Sequence, residues 1–481
     1  MGQNKINMTE GPIFSKLLRF AIPVYLTNLL QQLYSVADTV VVGKFDGKVA
    51  LAAVGATGTL TNLFLLMFTG VAAGAGVVVA QHIGAGKEDQ KKRAIETSLI
   101  FSFVSGIALV VIGWFFSRPM LLLMDCPENV LEPATLYMRI YFMGAPASLF
   151  YNFGSCVLRA HGDTKRPMFI LTLAGIVNVI LNLILVIVFH MSVAGVALAT
   201  VASQVVTAVC AGFLLFHPHG DYRVRFFGIR FDGKEMIRIL KIGIPVGING
   251  ILFSVSNVII QREVNGFGAV AIAGNTAASA LDRITHLGIV SFSQAAISFA
   301  GQNVGAKKYR RLDGILWQSS LGGAVVAGVF SAIFVIFNVP FLSFFIKSTG
   351  AERSAIIACA VPKLVMVGIG YMILAPEDTL GSMLKGMGKS TTPVIINLIC
   401  VTGIRMLWVF LVFYQHKTGD AALWVLYAGY PVSWVVSCIG QLIAYRHFRR
   451  HEYSNAVEDA AREEEQRREI SAETDPVKAV Q

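Results

Sequence analysis

Long runs of apolar residues alternate with short polar segments along almost the whole chain. The runs are continuously apolar, and each is long enough for a helix that crosses a bilayer, which needs about 20 such residues. They lack the alternation of a barrel strand and are far longer than one. Twelve runs qualify: 17–43, 51–81, 95–117, 134–158, 168–189, 194–216, 239–263, 270–300, 313–337, 354–384, 392–413 and 421–445. The pattern predicts an all-α integral membrane protein with twelve transmembrane helices.

The composition excludes several soluble classes of protein. Of the 481 residues, 55% are hydrophobic and only 14% are charged, whereas about 25% charged residues are usual in soluble chains. So few charges cannot cover a water-soluble surface, which excludes a soluble enzyme, a nucleic-acid binder and a disordered protein. No two of the six cysteines lie within four residues of each other, so no paired metal or redox motif is predicted and no cofactor is expected.

Lysine and arginine lie mainly on one side of the predicted membrane. The side that holds the N-terminus and the C-terminal end of the last span carries 25 of them, and the other side carries 8. Cytoplasmic loops carry the excess of positive charge, so we expect both termini in the cytoplasm and the protein in the plasma membrane. The net charge of +11 has the same explanation and needs no nucleic acid.

Three segments of the first half recur in the second half in the same order. LYSVADTVVV (33–42) matches LFSVSNVIIQ (252–261), AQHIGAGK (80–87) matches GQNVGAKK (301–308), and RAHGDTKRP (159–167) matches KGMGKSTTP (385–393). Six spans separate equivalent points, so the halves are parallel repeats, which is typical of transporters. We predict two six-helix bundles: an N-terminal lobe (1–216), a cytoplasmic linker (217–238), a C-terminal lobe (239–446) and a polar cytoplasmic tail (447–481).

One segment resembles a phosphate-binding loop but departs from it. GMGKST (386–391) has Met383 where that motif needs glycine, and no strand is predicted before it. Hydrolysis of ATP is therefore not expected, and no enzymatic motif occurs elsewhere. Transport would have to be coupled to an ion gradient.

Polar residues inside the spans of the first half are candidates for that coupling. An Asp at the centre of a spanning helix costs roughly 2.5–3.5 kcal/mol, and Asp38 lies within span 1. It is either an interfacial acid that reaches outward or an acid in the outer half of a cavity. Asn178 and Asn182 are spaced to share one helix face, and Thr200 and Asn152 lie in neighbouring spans. Each amide alone could serve helix packing, but together they predict a polar cluster around Asp38.

The second half contains more charges within its spans. The repeat offsets place Asn257 opposite Asp38 and Asp378 opposite Asn152, so acid and amide have exchanged places. This favours a central cavity flanked by separate acidic sites. Asp378 could instead form a structural ion pair with Lys363 or Arg405. The candidates for the substrate cavity are Gln32, Tyr34, Asn257, Asp282, Asp378 and Arg405.

These segments together resemble the multidrug and toxic compound extrusion (MATE) family over roughly residues 12–446. The resemblance rests on QQLYSVADTVVVGKF, LRAHGDTKRP, LFSVSNVIIQ, GQNVGAKK and LKGMGKS. It is closer to the DNA-damage-inducible branch than to NorM-like members, which have a Glu in span 7; this chain has none between Pro245 and Gln261.

The resemblance implies two lobes and the export of amphipathic, often cationic organic molecules in exchange for H⁺ or Na⁺. In relatives with a cation site in the first lobe, the matching positions are Asp38, Asn178 and Thr200, while Asn182 replaces a second acid. The missing negative charge favours H⁺ over Na⁺. A monomer among membrane lipids is expected. The alternatives are a flippase for a lipid-linked precursor, which would need a basic cavity, and a receptor or scaffold without transport.

Overall fold

The computed structural model describes residues 5–45, 47–217, 222, 224, 228–346, 348–417 and 421–459. Parts of the predicted linker and residues 460–481 of the predicted tail lie outside the described residues. Within the described ranges the chain is helical, with no strand. The helices are α1 (Ile13–Phe45), α2 (Gly47–Gly84), α3 (Glu88–Leu123), α4 (Glu128–Met143), α5 (Ala145–Ala160), α6 (Lys165–Leu183), α7 (Ser192–Leu215), α8 (Gly233–Asn265), α9 (Ala269–Gly305), α10 (Arg310–Ile336), α11 (Asn338–Phe345), α12 (Gly350–Gly386), α13 (Thr391–Ile396), α14 (Ile404–Leu411) and α15 (Ala422–His451).

Eleven helical segments in the described part of the chain are long and apolar enough to cross a bilayer. The fourth predicted span is the exception, because it is divided into α4 and α5 at Gly144. Pro146 lies in the first turn of α5 and lacks the N–H that would continue the helix. The two pieces together still form one crossing, so the prediction of twelve spans in two lobes is confirmed. The short helix α11, between spans 9 and 10, was not predicted.

Spans 5 and 11, which the repeat makes equivalent, each contain a π-helical turn. In span 5 the turn Ile184–Val188 follows α6, and in span 11 the turn Asn397–Gly403 joins α13 to α14. Such turns change the face that a helix presents and are frequent at functional sites. The repeat is also visible at the cytoplasmic ends, where Gly162 and Gly388 occupy equivalent turns with φ of 81° and 83°.

The lobes meet closely in the halves of their spans that lie on the predicted cytoplasmic side. A Cβ added at Gly70 of α2 would lie 2.2 Å from the backbone of Gly247 in α8, and one at Gly74 would lie 2.7 Å from that of Gly243. Near the membrane surface, a Cβ at Gly84 would lie 1.9 Å from the carbonyl oxygen of Gln302 in α9. Only glycine lets helix backbones approach so closely. The packing brings the two lobes into direct contact on the predicted cytoplasmic side.

The N-terminal half of the first helix of each lobe packs against the other lobe. Leu17 and Phe20 of α1 are buried in one core with Phe299 of α9, and the Phe20 and Phe299 rings contact edge to face at 5.9 Å. Conversely, Ile239 and Ile242 of α8 are buried with residues of α2. The outer half of α1, which contains Asp38, packs within the N-terminal lobe. Helix α1 therefore connects the outer part of one lobe to the interface with the other.

Candidate functional site

Three spans of the N-terminal lobe converge on the carboxylate of Asp38. The side-chain amide of Asn182, on α6, donates a hydrogen bond to Asp38 Oδ1. The same nitrogen lies 3.3 Å from Asn178 Oδ1, one turn earlier on α6. The side chain of Thr200, on α7, also lies beside the Asp38 carboxylate, and its hydroxyl donates to the Val196 carbonyl at 2.9 Å.

The surroundings of Asp38 are neutral and largely closed to water. Asn178 and Asn182 are buried, and the rings of Tyr137 and Tyr141 on α4 stack close to the carboxylate. Among the described residues no positively charged side chain forms an ion pair with Asp38. The side-chain oxygen of Asn182, Oδ1, has no hydrogen-bond partner among the residues that the structure describes. The cluster thus joins one titratable acid to neutral donors and to one unused acceptor.

The remaining candidates of the first lobe lie apart from this cluster. Asn152 donates to the backbone carbonyl of Ser148 on its own helix at 2.9 Å. The Tyr34 hydroxyl donates to the Leu171 carbonyl at 2.8 Å, and its ring lies where a side chain at Gly175 would be. Tyr34 therefore fastens α1 to α6. Gln32 is half-buried and forms no hydrogen bond with a described residue.

The C-terminal lobe contains a cavity of about 270 Å³ between α8, α9, α12 and α15. Aromatic rings form a continuous row along it: Phe253 stacks near His286 at 6.4 Å between ring centroids, His286 near Tyr371 at 6.2 Å, and Tyr371 near Trp434 at 5.8 Å. The lining also includes the polar residues Asn257, Gln261, Asn275, Ser279, Asp282, Arg283 and Lys363. The cavity is therefore lined by aromatic rings together with charged side chains of both signs.

The three charged residues of the cavity are held differently. The Lys363 ammonium donates to Asn275 Oδ1 at 3.1 Å and to the Ser279 hydroxyl. Asp282 lies within electrostatic range of Lys363. Arg283 is exposed and has no hydrogen bond or ion pair with any described residue. The cavity therefore has one acid within electrostatic range of two cations, of which only the buried Lys363 forms hydrogen bonds with described residues.

Arg405 lies behind the cavity and is almost fully buried. Its guanidinium donates to the Ser256 hydroxyl at 2.9 Å, to the Ser433 hydroxyl at 3.2 Å and to Asn257 Oδ1 at 3.5 Å. The guanidinium carbon also lies 4.3 Å from the centroid of the Tyr430 ring. Arg405 thus joins α8, α14 and α15 and holds Asn257 in place.

The structural ion pair considered for Asp378 is not formed. Asp378 is half-buried and pairs with neither Lys363 nor Arg405, whose partners in the described chain are the neutral groups given above. The neighbouring Glu377 is the buried acid of this helix. It accepts hydrogen bonds from the Ser437 hydroxyl at 2.7 Å and from the Gln441 amide, and both groups also contact Asn397. The spacing of Ser437 and Gln441 on one helix face was the available signal for this cluster.

Comparison with known proteins identifies both halves of the chain. The MatE family model matches residues 23–184 and again residues 245–411. The two matches follow the internal repeat and together cover more than half of the chain.

Bacterial relatives match over most of their length. The chain is 27% identical over 440 residues to "Probable multidrug resistance protein YoeA" of Bacillus subtilis, covering 90% of this chain and 93% of the relative. It is 22% identical over 395 residues to "Multidrug export protein MepA" of Staphylococcus aureus (82% and 86%). The "FAD transporter" of Shewanella oneidensis is 26% identical over 313 residues (64% and 69%).

Solved structures share the fold. A "MOP superfamily transporter from Pyrococcus furiosus" superposes with a TM-score of 0.85 at 20% identity, covering 93% of this chain and 98% of that one. A structure described as the "outward-facing conformation of a multidrug resistance MATE family transporter" gives the same TM-score, identity and coverage.

Proposed function

Since the chain belongs to the MatE family of multi-pass membrane transporters, we propose that it exports amphipathic organic molecules, cationic ones among them, in exchange for protons. The observation that carries this proposal is the half-buried Asp38 carboxylate, whose hydrogen-bond partners are neutral. A carboxyl group without a counterion changes its charge by one unit when it binds a proton. Within a lobe that has little other polarity, this change alters the contacts of three helices.

The composition of the cluster favours H⁺ over Na⁺ as the coupling ion. Binding of Na⁺ would use several oxygens and benefit from more than one negative charge, but here the second acid is replaced by Asn182. Moreover, the Asn182 amide directs its N–H at Asp38 Oδ1 and so occupies an oxygen that a metal ion would need. A proton needs only one oxygen atom.

The proposed cycle begins with protonation of Asp38 from outside. The carboxyl then loses its charge and gains a donor, for which the unpartnered Asn182 Oδ1 is an acceptor within the same pair. Helix α1 bends at Pro23, where the missing N–H interrupts the hydrogen-bond ladder. Because the cytoplasmic half of α1 packs in the other lobe, the bend changes the interface and releases the substrate. A potential of 100 mV adds about 2.3 kcal/mol for each charge moved.

The ion dependence of efflux tests the proposal. The purified protein would be reconstituted in liposomes, and the transport of a fluorescent organic cation would be followed under an imposed pH gradient or an imposed Na⁺ gradient. We expect transport driven by the pH gradient in buffers without Na⁺. Transport that requires Na⁺ at every pH would contradict proton coupling, and no transport of any probe under either gradient would favour a receptor or scaffold.

The flippase alternative is less favoured by the arrangement of charges. Such a cavity would hold a pyrophosphate with several basic residues, whereas this one has Arg283 and Lys363 with Asp282 beside them. Arg405 is enclosed by hydroxyl and amide groups behind the wall. A cavity with one net positive charge would not neutralise a pyrophosphate, which carries several negative charges. Movement of a lipid-linked pyrophosphate across protein-containing liposomes would reverse this preference.

The absence of an acid between Pro245 and Gln261 of α8 supports placement in the DNA-damage-inducible branch. NorM-like members have a Glu there, and this chain has Asn257 as its polar residue opposite Asp38. A tree built with members of both branches tests the placement, and grouping with NorM-like sequences would contradict it.

We also propose that the protein is a monomer in the plasma membrane. From the distribution of positive charge, we place both termini in the cytoplasm. Protease protection of tags at the two ends in intact cells tests the orientation. Cleavage of either tag from outside would contradict it.

A further inference from the structure

The cavity in the C-terminal lobe has a charge opposite to that of the Asp38 cluster. Asp282 lies within electrostatic range of both Lys363 and Arg283, so one negative charge faces two positive charges within the cavity. Arg283 lies near the middle of α9 (Ala269–Gly305), is exposed and forms no hydrogen bond or ion pair with a described residue. A positive charge within a membrane-spanning helix is costly and marks a functional site when it faces a cavity.

The environment of Arg283 supplies what an organic acid needs. A guanidinium binds a carboxylate through two parallel hydrogen bonds. The rings of His286, Tyr371 and Trp434 line the same cavity and offer stacking surface. The amides of Asn257 and Gln261 lie in the same lining.

From this arrangement we propose that the C-terminal lobe binds aromatic molecules that carry a single negative charge, with Arg283 as the group that recognises the anion. The proposal rests on the proposed export function and names a substrate class for it. A cavity of about 270 Å³ is at the small end of ligand sites, so it holds one or two fused rings and the acidic group rather than a whole large drug. The remainder of a larger substrate would extend into the space between the lobes.

The neighbouring residues argue against a cation as the preferred occupant. Among the described residues of the lining Asp282 is the only acid, and it already lies within electrostatic range of Lys363 and Arg283. A cationic ligand would meet the unpaired Arg283 and be repelled. A neutral ligand would leave Arg283 without a partner. An anion is the one charge type that improves the pairing in the cavity.

Binding of three matched probes to the full-length protein in lipid nanodiscs tests the proposal. The probes share one ring system and differ in charge: 2-naphthoate, 2-naphthamide and 2-naphthylmethylammonium. Competition against tritiated 2-naphthoate gives their relative affinities. We expect 2-naphthoate to bind the wild type at least about tenfold more tightly than 2-naphthamide, the gain typical of one charge-assisted hydrogen-bonded pair. The ammonium should bind most weakly.

Substitutions assign the preference to Arg283. In Arg283→Gln the affinity for 2-naphthoate should fall to that for 2-naphthamide, while Arg283→Lys should keep part of the preference. Arg262→Gln removes an exposed arginine from the outer end of α8 and is the matched control that should keep the whole preference. Equal affinities of the wild type for the three probes, tighter binding of the ammonium, or an unchanged preference in Arg283→Gln would each overturn the proposal.

The comparison of probes on the wild type needs no variant to fold. It also needs no ion gradient, so a failure of proton coupling would leave its outcome intact. Conversely, proton-driven export without any preference for 2-naphthoate would overturn this inference and leave the proposed function standing.

Discussion

Spans 5 and 11 occupy equivalent places in the two lobes and each contains a π-helical turn, at different positions along the span, yet they present opposite chemistry. In span 5, Asn182 precedes the π-helical turn and donates to the acid Asp38 on the first helix of its lobe. In span 11, Arg405 follows the π-helical turn and donates to the amide Asn257 on the first helix of its lobe. Each span thus has a π-helical turn, at a different position, and the charge beside it has been exchanged.

The exchange separates two roles. A carboxyl group with neutral neighbours changes its charge when a proton binds, whereas a guanidinium stays charged at any accessible pH. The N-terminal lobe is therefore suited to coupling. The C-terminal lobe is suited to holding a fixed positive charge behind and within its cavity.

Removing the titratable group should have the largest effect. In Asp38→Asn the side chain can no longer bind and release a proton, so efflux driven by a pH gradient should fall to the level of empty liposomes. Asp125→Asn removes an acid from the loop before α4 and is the control, with efflux expected to remain. If Asp38→Asn retained pH-driven efflux, the division of roles between the lobes would be wrong.

Adding a second acid should change the coupling ion. Asn182→Asp places two carboxyl groups together, which should raise the affinity for Na⁺ and make efflux respond to a Na⁺ gradient. Asn152→Asp adds the same charge on α5 but away from Asp38, so it should not create that response. Efflux rates with and without Na⁺ measure the effect, and equal stimulation of both variants would show that the location of the charge is irrelevant.

Removing the buried guanidinium should mainly reduce stability. Arg405→Met keeps a long side chain but loses the hydrogen bonds to Ser256 and Ser433, at an expected cost of about 2–4 kcal/mol. The thermal unfolding midpoint in detergent should therefore fall clearly. Arg262→Met, at an exposed position, should change it little. An unchanged midpoint in Arg405→Met would show that Arg405 does not hold the lobe together.

A methyl group at the contact between the lobes should weaken it. In Gly84→Ala the new Cβ would overlap the Gln302 carbonyl, so the helices must separate, at a cost of about 1–3 kcal/mol. Gly58→Ala is the matched control, because a Cβ there meets nothing within 4 Å. The thermal midpoint should fall only in Gly84→Ala. Equal midpoints would mean that the close approach of α2 and α9 contributes nothing to stability.

The smallest expected effect is on the pH dependence of stability, and it concerns His161 in the turn after α5. The equivalent turn of the other lobe has Met387 at this position. Burial lowers the pKa of His161 to about 4, and its Nδ1 lies 2.9 Å from the Val157 carbonyl oxygen. The unfolded chain binds a proton near pH 6.5 but the folded chain does not, so stability is full above pH 6.5 and falls below it by up to about 1.4 kcal/mol per pH unit.

Replacing His161 with methionine, the residue at the equivalent position of the other lobe, tests whether His161 causes this loss of stability. His161→Met should flatten the dependence of the thermal midpoint on pH between 6.5 and 4.5. An equally steep dependence in the variant would assign the proton uptake to other groups.

The spans could be predicted from the sequence because their apolar character is local. The break at Gly144 had a local signal in Pro146, but a continuous apolar run concealed it. The crossing of α1 into the other lobe had no such signal, because an apolar face does not specify its partner. Only the packed structure shows that Phe20 lies against Phe299.

The candidate site was predictable in part for the same reason. The spacing of Asn178 and Asn182 indicated a shared face, and the structure brings that face to Asp38. Asn152 instead bonds to its own helix, which a list of polar residues cannot foresee. The role of Glu377 was also missed, since its partners Ser437 and Gln441 lie two spans later in the sequence.

Proton release on substrate binding tests the central claim most directly. A fluorescent organic cation would be added to the purified protein in weakly buffered detergent solution, and a pH indicator would report any released protons. We predict that the wild type releases a proton when the cation binds, and that Asp38→Asn binds without release. Equal release from the variant would show that the exchanged proton belongs to another group, and the coupling role of the N-terminal lobe would be contradicted.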